Sequence, residues 1–184
     1  ARLSGDNLPP DDVFHFTLPV YQTPRVIVAE GITLGPETLR PGFFLRKALA
    51  AGGECAVRTA AAAQLEELPL ESQTAVFLAD PGKLSDRSLV RLERFLESGG
   101  TLVLFPGDRT RPEDYARLDF LPAKPDGMRQ LAAGRQPVRI AEPSHPLFAD
   151  TWDSSTPFPA LPQQRLLDWK PLDEARVLLT IGSA

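Results

Sequence analysis

Three carboxylates and one histidine stand where the chain could carry out acid–base chemistry. Glu30 ends one apolar run, Asp80 follows a second, and Asp108 follows a third, while His145 lies between two prolines in EPSHPLF. Carboxylate and imidazole groups are commonly used for proton transfer, with pKa values set by burial and neighbouring charge. Asp108 and His145 are therefore the catalytic candidates, with or without a metal.

The turn that follows the third of these runs carries no nucleophile. It reads Pro106-Gly107-Asp108-Arg109. Acyl transfer from a strained turn requires a Ser or Cys and a nearby His that accepts its proton. Neither Ser nor Cys occupies this turn, so acyl transfer there is disfavoured. Asp108 beside Arg109 could act as an acid, a base or a metal ligand, but exposed Asp and Arg neighbours more often only solvate a loop.

The remaining candidate groups have simpler structural explanations. Asp80-Pro81-Gly82 suits a tight turn, and Lys83 beside a single glycine lacks the spacing of a phosphate-binding loop. His15 and His145 have no paired nucleophile or metal motif, and such a histidine is more often a hydrogen-bonded structural residue. Cys55 is the only cysteine, which excludes an internal disulfide and a cysteine-based metal cluster. No cofactor is expected.

The composition disfavours several classes of partner. The 184 residues carry a net charge of −4, with 42% hydrophobic and 24% charged residues. These values are typical of a globular domain, and the scattered basic residues disfavour nucleic-acid binding. No run of 18 apolar residues is present to span a membrane. We expect the chain to be a segment of a longer protein, in which nineteen prolines form stiff loops between strands.

Alternating strand and helix patterns predict how the chain is organised from residue 24 onward. RVIVAE is a β-branched run typical of a parallel strand buried on both faces. Ser85 is a good N-cap, and the apolar residues after it recur at helical spacing. In chain order the predicted elements are a strand Arg25–Glu30, a helix from Phe43 to Gly52-Gly53, a weaker strand Glu54–Thr59, a strand Thr74–Ala79, a helix from Ser85 to Gly99-Gly100, and a strand Thr101–Phe105.

The C-terminal part gives weaker patterns. Residues 109–136 are polar and interrupted by proline, so only a helical turn within residues 112–118 is predicted there. Short strands are predicted at residues 137–141 and 175–181. Residues 151–169, which begin and end near the two tryptophans, are predicted to form a long loop held by its aromatic residues, or else a protein-binding surface.

Together these patterns predict an α/β fold, a three-layer Rossmann- or flavodoxin-like domain with a doubly wound, mostly parallel sheet. We assign residues 1–23 to an N-terminal edge strand or the tail of a preceding β domain, and residues 24–184 to the α/β domain. Ligands of such sheets bind beyond the carboxyl ends of the strands, where the strand order reverses. The cleft predicted there comprises Glu30, Gly31, Asp80, Gly82, Gly107, Asp108, Arg109 and His145.

Three stretches carry a resemblance to a known family. LSDRSLVRLERFLESGGTLVLFPGD resembles the helix, Gly-Gly and strand of class I glutamine amidotransferase-like domains, especially the ThuA-like branch, and EPSHPLF is similar to a later segment of those chains. GDNLPPDDVFHFTLPV followed by RVIVAEG resembles the junction in large bacterial membrane-anchored proteins of the BatA type. In those proteins an extracytoplasmic β domain precedes an amidotransferase-like domain. The resemblance covers most of the chain.

The resemblance implies an amidotransferase-like domain on the extracytoplasmic, periplasmic side of a membrane-anchored cell-envelope protein, although a cytoplasmic location stays open. The catalytic residues of the family do not carry over. Gly107-Asp108 occupies the position of the nucleophilic Cys, no His-x-Glu pair follows, and Pro81-Gly82 alone stands where a glycine pair is expected for the oxyanion turn. These departures predict a pseudoenzyme.

Three functions stay open at this point. The first is a non-catalytic binding or scaffolding domain that contacts other proteins of the cell envelope. The second is a hydrolase or sugar-modifying enzyme that uses Asp108 and His145, and the third is a structural spacer. An enzyme requires Glu30, Asp108 and His145 to converge in a concave site, whereas a binding domain requires an exposed apolar patch.

Overall fold

A computed structural model of the chain describes residue 17 and residues 22–32, 34–131, 133–148, 159–160, 162 and 165–181. The predicted N-terminal edge strand, and with it the division at residue 23, falls almost entirely outside these residues. His15 and Trp152 lie outside them as well. The α/β core that follows is described without a break from residue 34 to residue 131.

A four-stranded parallel sheet forms the centre of the fold. Its strands are β1 (Arg25–Glu30), β2 (Ala56–Ala61), β3 (Ala75–Ala79) and β4 (Thr101–Phe105), in the spatial order β2-β1-β3-β4. β1 pairs with β2 on one side and β3 on the other, and all its residues after Arg25 are buried. This confirms the predicted α/β class and the prediction that RVIVAE is a strand buried on both faces.

Helices and short helical turns connect the strands. They are α1 (Phe43–Ala51), α2 (Asp86–Glu97) and α3 (Pro112–Tyr115), with 3₁₀ turns at Glu37–Leu39, Ala62–Glu67 and Leu70–Ser72. The hydroxyl of Ser85 accepts a hydrogen bond from the Ser88 N–H at 3.1 Å, which confirms the predicted N-cap of α2. Such a cap satisfies one of the amides that the first helical turn leaves unbonded.

The two long helices lie on opposite faces of the sheet. Leu92 and Phe95 of α2 pack in one buried cluster with Ile27 and Ala29 of β1. Side chains of a strand alternate between faces, so Val28 and Glu30 point to the other face. A Cβ placed on Gly42, the residue before α1, would lie 2.9 Å from Val28 Cγ1. The connections that leave β1 and β3 therefore run on opposite faces, and the crevice between these strands is the point where the strand order reverses.

The region after β4 differs from the prediction. Instead of a polar loop, residues 123–130 form β5 (Ala123–Gln130), which pairs antiparallel with β7 (Arg165–Pro171). Trp169 therefore lies in a strand and packs edge-on against Tyr115, with 6.2 Å between ring centroids. The register shifts between Pro125 and Gly127, and a bulge of this kind accommodates a proline within a strand.

Smaller differences concern element boundaries. β6 (Val138–Ile140) and β8 (Leu179–Ile181) form a second antiparallel pair, which confirms the short strand at 137–141 and shortens the one at 175–181. β2 begins two residues later than predicted, so Cys55 precedes it and is half-buried. The sheet that carries the core is wholly parallel, whereas the four later strands form two separate antiparallel pairs. Within the described residues, no helix has the length and apolar character to cross a membrane.

The contact between α2 and the sheet sets the stability of this core. We expect Leu92→Ala, at a fully buried position, to lower the free energy of unfolding by about 2–5 kcal/mol, because it removes buried apolar surface and leaves a cavity. Val90→Ala on the exposed side of the same helix is the matched control, with an expected change within about 0.5 kcal/mol. Urea unfolding of both variants measures the difference. Equal losses would mean that α2 does not pack on the sheet through Leu92.

Candidate functional site

The ends of β1, β3 and β4 meet in one tightly packed cluster. The Gly31 N–H donates to the Ala79 carbonyl at 3.1 Å, and the Asp80 N–H donates to the Phe105 carbonyl at 2.9 Å. These bonds extend the parallel pairing by one residue beyond the strands. Three of the predicted cleft positions, Gly31, Asp80 and Gly107, are thus brought together at the point where the strand order reverses.

Asp80 is the centre of this cluster. Its backbone has a φ of 44°, an uncommon conformation for a residue with a side chain, although Asp tolerates it better than most. The carboxylate is buried. Its Oδ1 accepts a hydrogen bond from the Arg109 backbone N–H at 3.0 Å, and its Oδ2 lies 3.6 Å from the Arg109 Nε. Asp80 therefore fastens the end of β3 to the turn that follows β4.

Two glycines make room for this arrangement. A Cβ at Gly31 would lie 2.3 Å from the Asp80 carbonyl oxygen and 2.7 Å from Arg109 Nη1. A Cβ at Gly107 would lie 2.6 Å from both Cβ and Cγ of Asp80. Asp80 and the Arg109 side chain therefore pack closely at the crevice in which a doubly wound sheet usually holds its ligand, beside a cavity of about 400 Å³ that Asp80, Gly107 and Arg109 line.

The turn after β4 is held from its other side as well. The Gly107 N–H donates to the Thr110 hydroxyl at 2.7 Å, and Thr110 is buried. Tyr115 of α3 is also buried. Burial raises the pKa of the Tyr115 phenol; the neighbouring Thr110 side chain opposes this, and the negative charges of Asp80 and Asp114 add to it. The turn that holds Asp108 is thus bonded on both sides, to Asp80 and through the Thr110 hydroxyl.

Glu30 has a structural role at the start of α1. Its Oε2 accepts a hydrogen bond from the Gly42 N–H at 3.0 Å, and its Oε1 lies 3.8 Å from Arg40 Nη1. Glu30 thus caps α1 although it lies 12 residues before Gly42 in the sequence. In most helices a Ser or Asp directly before the first turn provides the cap. Glu30 lines a cavity of about 360 Å³. Asp108 lines two other cavities, of about 400 and 640 Å³.

His145 is engaged within its own loop. Its Nδ1 accepts a hydrogen bond from the Leu147 N–H at 3.2 Å, and its ring stacks edge-on against Phe148, with 6.4 Å between ring centroids. Glu30 or Asp108 lines each of three cavities, and His145 lines none of them. Within the described residues, no group of three or more His, Cys, Asp or Glu side chains could hold a metal ion. A joint role of Asp108 and His145 stays a prediction.

The larger cavity was not predicted. Its volume of about 640 Å³ lies between the turn at residues 106–110, the β5–β7 pair and the stretch leading into β8. We call it the C-terminal groove. Its apolar lining includes Met128, Leu167, Trp169, Val177 and Leu179. Leu167 and Trp169 belong to residues 151–169, for which a protein-binding surface is one of the two predictions. Met128 was missed because β5 was predicted to be a loop. The apolar and aromatic residues of RLLDWK were the available signal for β7.

Gly31 offers a test of its close packing against Asp80 and Arg109. We expect Gly31→Ala to lower the free energy of unfolding by about 2–3 kcal/mol, since the added methyl overlaps a backbone oxygen that no side-chain rotation can move. Gly53→Ala, where a Cβ meets nothing within 4 Å but φ is +64°, is the control, with a loss of about 1 kcal/mol from backbone strain alone. Chemical denaturation measures both.

The same substitution in an Arg109→Ala background separates the two contacts of Gly31. Removal of the arginine leaves the Asp80 carbonyl in place, so the cost of Gly31→Ala should persist. A cost that disappears in this background would show that only a movable side chain closes the crevice.

The raised pKa of Tyr115 predicts a loss of stability at alkaline pH. The phenol has its ordinary pKa of about 10 when unfolded and a higher pKa when folded, so the folded state retains the proton more strongly. Its contribution is complete below pH 10 and is lost as the pH rises through the folded pKa. Urea unfolding between pH 8 and 11 should therefore show a falling free energy of unfolding, and Tyr115→Phe should flatten this fall. The same slope in both proteins would refute the prediction.

No protein-family model, no curated protein and no solved structure matches this chain significantly. The structure shows an α/β fold with a four-stranded parallel sheet flanked by helices. This arrangement is compatible with a Rossmann- or flavodoxin-like fold. The amidotransferase-like resemblance therefore stays a prediction from the residues quoted for it.

Proposed function

We propose that this chain is a non-catalytic binding domain with an amidotransferase-like α/β fold, part of a membrane-anchored protein of the cell envelope. The packing of Asp80 and Arg109 over Gly31 and Gly107 is the observation that carries the proposal. It places an ion pair that joins two strand ends where such a sheet would hold a substrate. The location in the envelope rests on the resemblance of the N-terminal stretch and RVIVAEG to the junction in BatA-type proteins.

The C-terminal groove is the surface that this proposal assigns to binding. Leu167 on its floor is buried, whereas Met128, Val177 and Leu179 are each more than a third exposed. Exposed apolar side chains grouped in one concavity are typical of a binding site, while scattered ones need no explanation. A spacer domain would require no such groove, so its presence favours a binding role.

The charges around the groove indicate the chemistry of the partner. Arg129, Arg165 and Arg176 line it, against Asp108 and Asp168. Arg129 and Asp168 form a two-bond ion pair, with Nε–Oδ2 and Nη2–Oδ1 distances of 2.8 and 2.9 Å. The groove thus carries an excess of positive charge in a chain whose net charge is −4. We assign it to a peptide segment of another envelope protein that presents apolar side chains beside acidic ones.

Replacement of Val177 tests this assignment. Val177→Glu places a negatively charged side chain in the groove, whereas Val90→Glu places the same side chain on α2, at a position of nearly equal exposure (43% and 45%). We expect acidic, apolar peptides selected from a displayed random library to bind the wild type and Val90→Glu alike. Binding to Val177→Glu should be at least about tenfold weaker, because an apolar contact is replaced by a charge that repels an acidic peptide. Fluorescence anisotropy of labelled peptides measures the affinities.

Two results would contradict the proposal. The library could yield no binder that depends on Val177, or the selected peptides could be basic rather than acidic. In the first case the groove is not a binding site, and in the second the charge argument is wrong.

A further inference from the structure

Helix α1 carries a guanidinium group that its surroundings leave incompletely bonded. The Nε and Nη2 atoms of Arg46 are buried and have no hydrogen-bond partner in the part of the chain that the structure describes. Its Nη1 lies 3.0 Å from the Glu37 Oε1. Buried polar groups almost always have a hydrogen-bond partner. A buried group without one in the protein calls for a bound water, ion or ligand.

Arg46 lines a cavity suited to such a ligand. The cavity, of about 360 Å³, lies at the carboxyl ends of β1 and β2 and is also lined by Glu30, Arg40, Thr59 and Gln64. The carboxyl ends of parallel strands are the usual ligand-binding edge of an α/β sheet. None of these residues lines the C-terminal groove, so this cavity is independent of the function proposed above.

We propose that this cavity binds a carboxylate, received side-on by the Nε–H and Nη2–H of Arg46. A planar guanidinium donates two parallel hydrogen bonds to a carboxylate, with a geometry that lysine cannot reproduce. Arg40 adds a second positive charge. The Gln64 Oε1 already accepts from the Ala61 N–H at 3.2 Å, which leaves the amide NH₂ of Gln64 as a further donor.

The charges around the cavity sum to zero, which favours a ligand with one negative charge over a ligand with two. Arg40 and Arg46 are balanced by Glu30 and Glu37, and the carboxylate of Glu30 is fixed by the Gly42 N–H. A dianionic phosphate would meet stronger repulsion from the buried Glu30 than a monoanion does. The carboxylate can belong to a small molecule or to a peptide terminus, and both present the same group to Arg46.

Entry of the ligand requires the Arg46 guanidinium to turn, since its Nε and Nη2 are closed to water. The Arg46 side chain is 19% exposed, and that of its partner Glu37 is 58% exposed. An ion pair with so exposed a partner contributes little. Glu37 therefore acts as a weak internal competitor for the same guanidinium.

Nuclear magnetic resonance of the ¹⁵N-labelled chain tests the proposal. The Arg46 Nε–H and the Gly31 and Gly42 backbone amides are followed during titration with acetate, with N-acetyl-triglycine, and with inorganic phosphate, each at constant ionic strength. We expect saturable shifts with a carboxylate and weaker binding of phosphate. The C-terminally amidated form of the tripeptide, titrated as a control, should have no effect. Tighter binding of acetate identifies a free small acid, and tighter binding of the tripeptide identifies a peptide terminus.

Three variants make the test specific to Arg46. Arg46→Lys should weaken carboxylate binding at least about tenfold, because the side-on pair is lost. Glu37→Gln should tighten it roughly two- to fivefold, since a competing exposed carboxylate is removed. Arg94→Lys, on an exposed position of α2, should leave it unchanged. The Glu37→Gln result decides the matter even where Arg46→Lys impairs folding.

Several outcomes would overturn the proposal. These are the absence of a saturable shift with either carboxylate, tighter binding of phosphate than of acetate, or equal affinities in the wild type and Glu37→Gln. In each case the unbonded edge of Arg46 is a packing feature that takes no carboxylate.

Discussion

The rest of the site depends on how one buried carboxylate, that of Asp80, is accommodated. It accepts a hydrogen bond from the backbone of Arg109, and it fits only because Gly107 presents no side chain toward it, while Gly31 leaves room for the Asp80 carbonyl oxygen. A buried carboxylate without such partners would carry a large desolvation cost. The ends of β1, β3 and β4 are therefore joined through Asp80, and the crevice between them is used for structure.

Glu30, another carboxylate that could carry out chemistry, follows the same pattern. Glu30 holds the first amide of α1 through the Gly42 N–H. Parallel strands end with unpaired backbone groups, and the turns that follow them contain N–H donors with no partner in the sheet. A carboxylate at such a position can satisfy them, so an acidic residue at a strand end has a structural use that competes directly with catalysis. In this protein two of the three candidates, Glu30 and Asp80, have that use.

The sequence predicted the parallel core well and the C-terminal region poorly, for physical reasons. RVIVAE and the helix capped by Ser85 are specified locally, by β-branched residues in one case and by a cap with helical periodicity in the other. β5 contains Pro125 and Gly127, and its partner begins 35 residues after it ends, at Arg165. No short-range turn signal marks such a pair, and only the tertiary fold stabilises it. The C-terminal groove depends on that pairing, so the groove itself could not be predicted, although residues 151–169, which include Leu167 and Trp169 of its lining, were offered as a protein-binding surface.

The absence of a nucleophile after β4 and the close packing of Asp80 against Gly107 have the same cause, which is that a side chain at Gly107 does not fit. The resemblance places a nucleophilic Cys at Gly107-Asp108, and a Cys at Gly107 would need a Cβ within 2.6 Å of the Asp80 Cβ. No side-chain rotation relieves that contact, because the Cβ position of Asp80 is fixed by its own backbone. A nucleophile at Gly107 would therefore require Asp80 to leave, and with it the bond that holds the Arg109 turn. A side chain at Gly107 is incompatible with this packing of the strand ends, so a nucleophile there would require rebuilding the turn and not a single substitution.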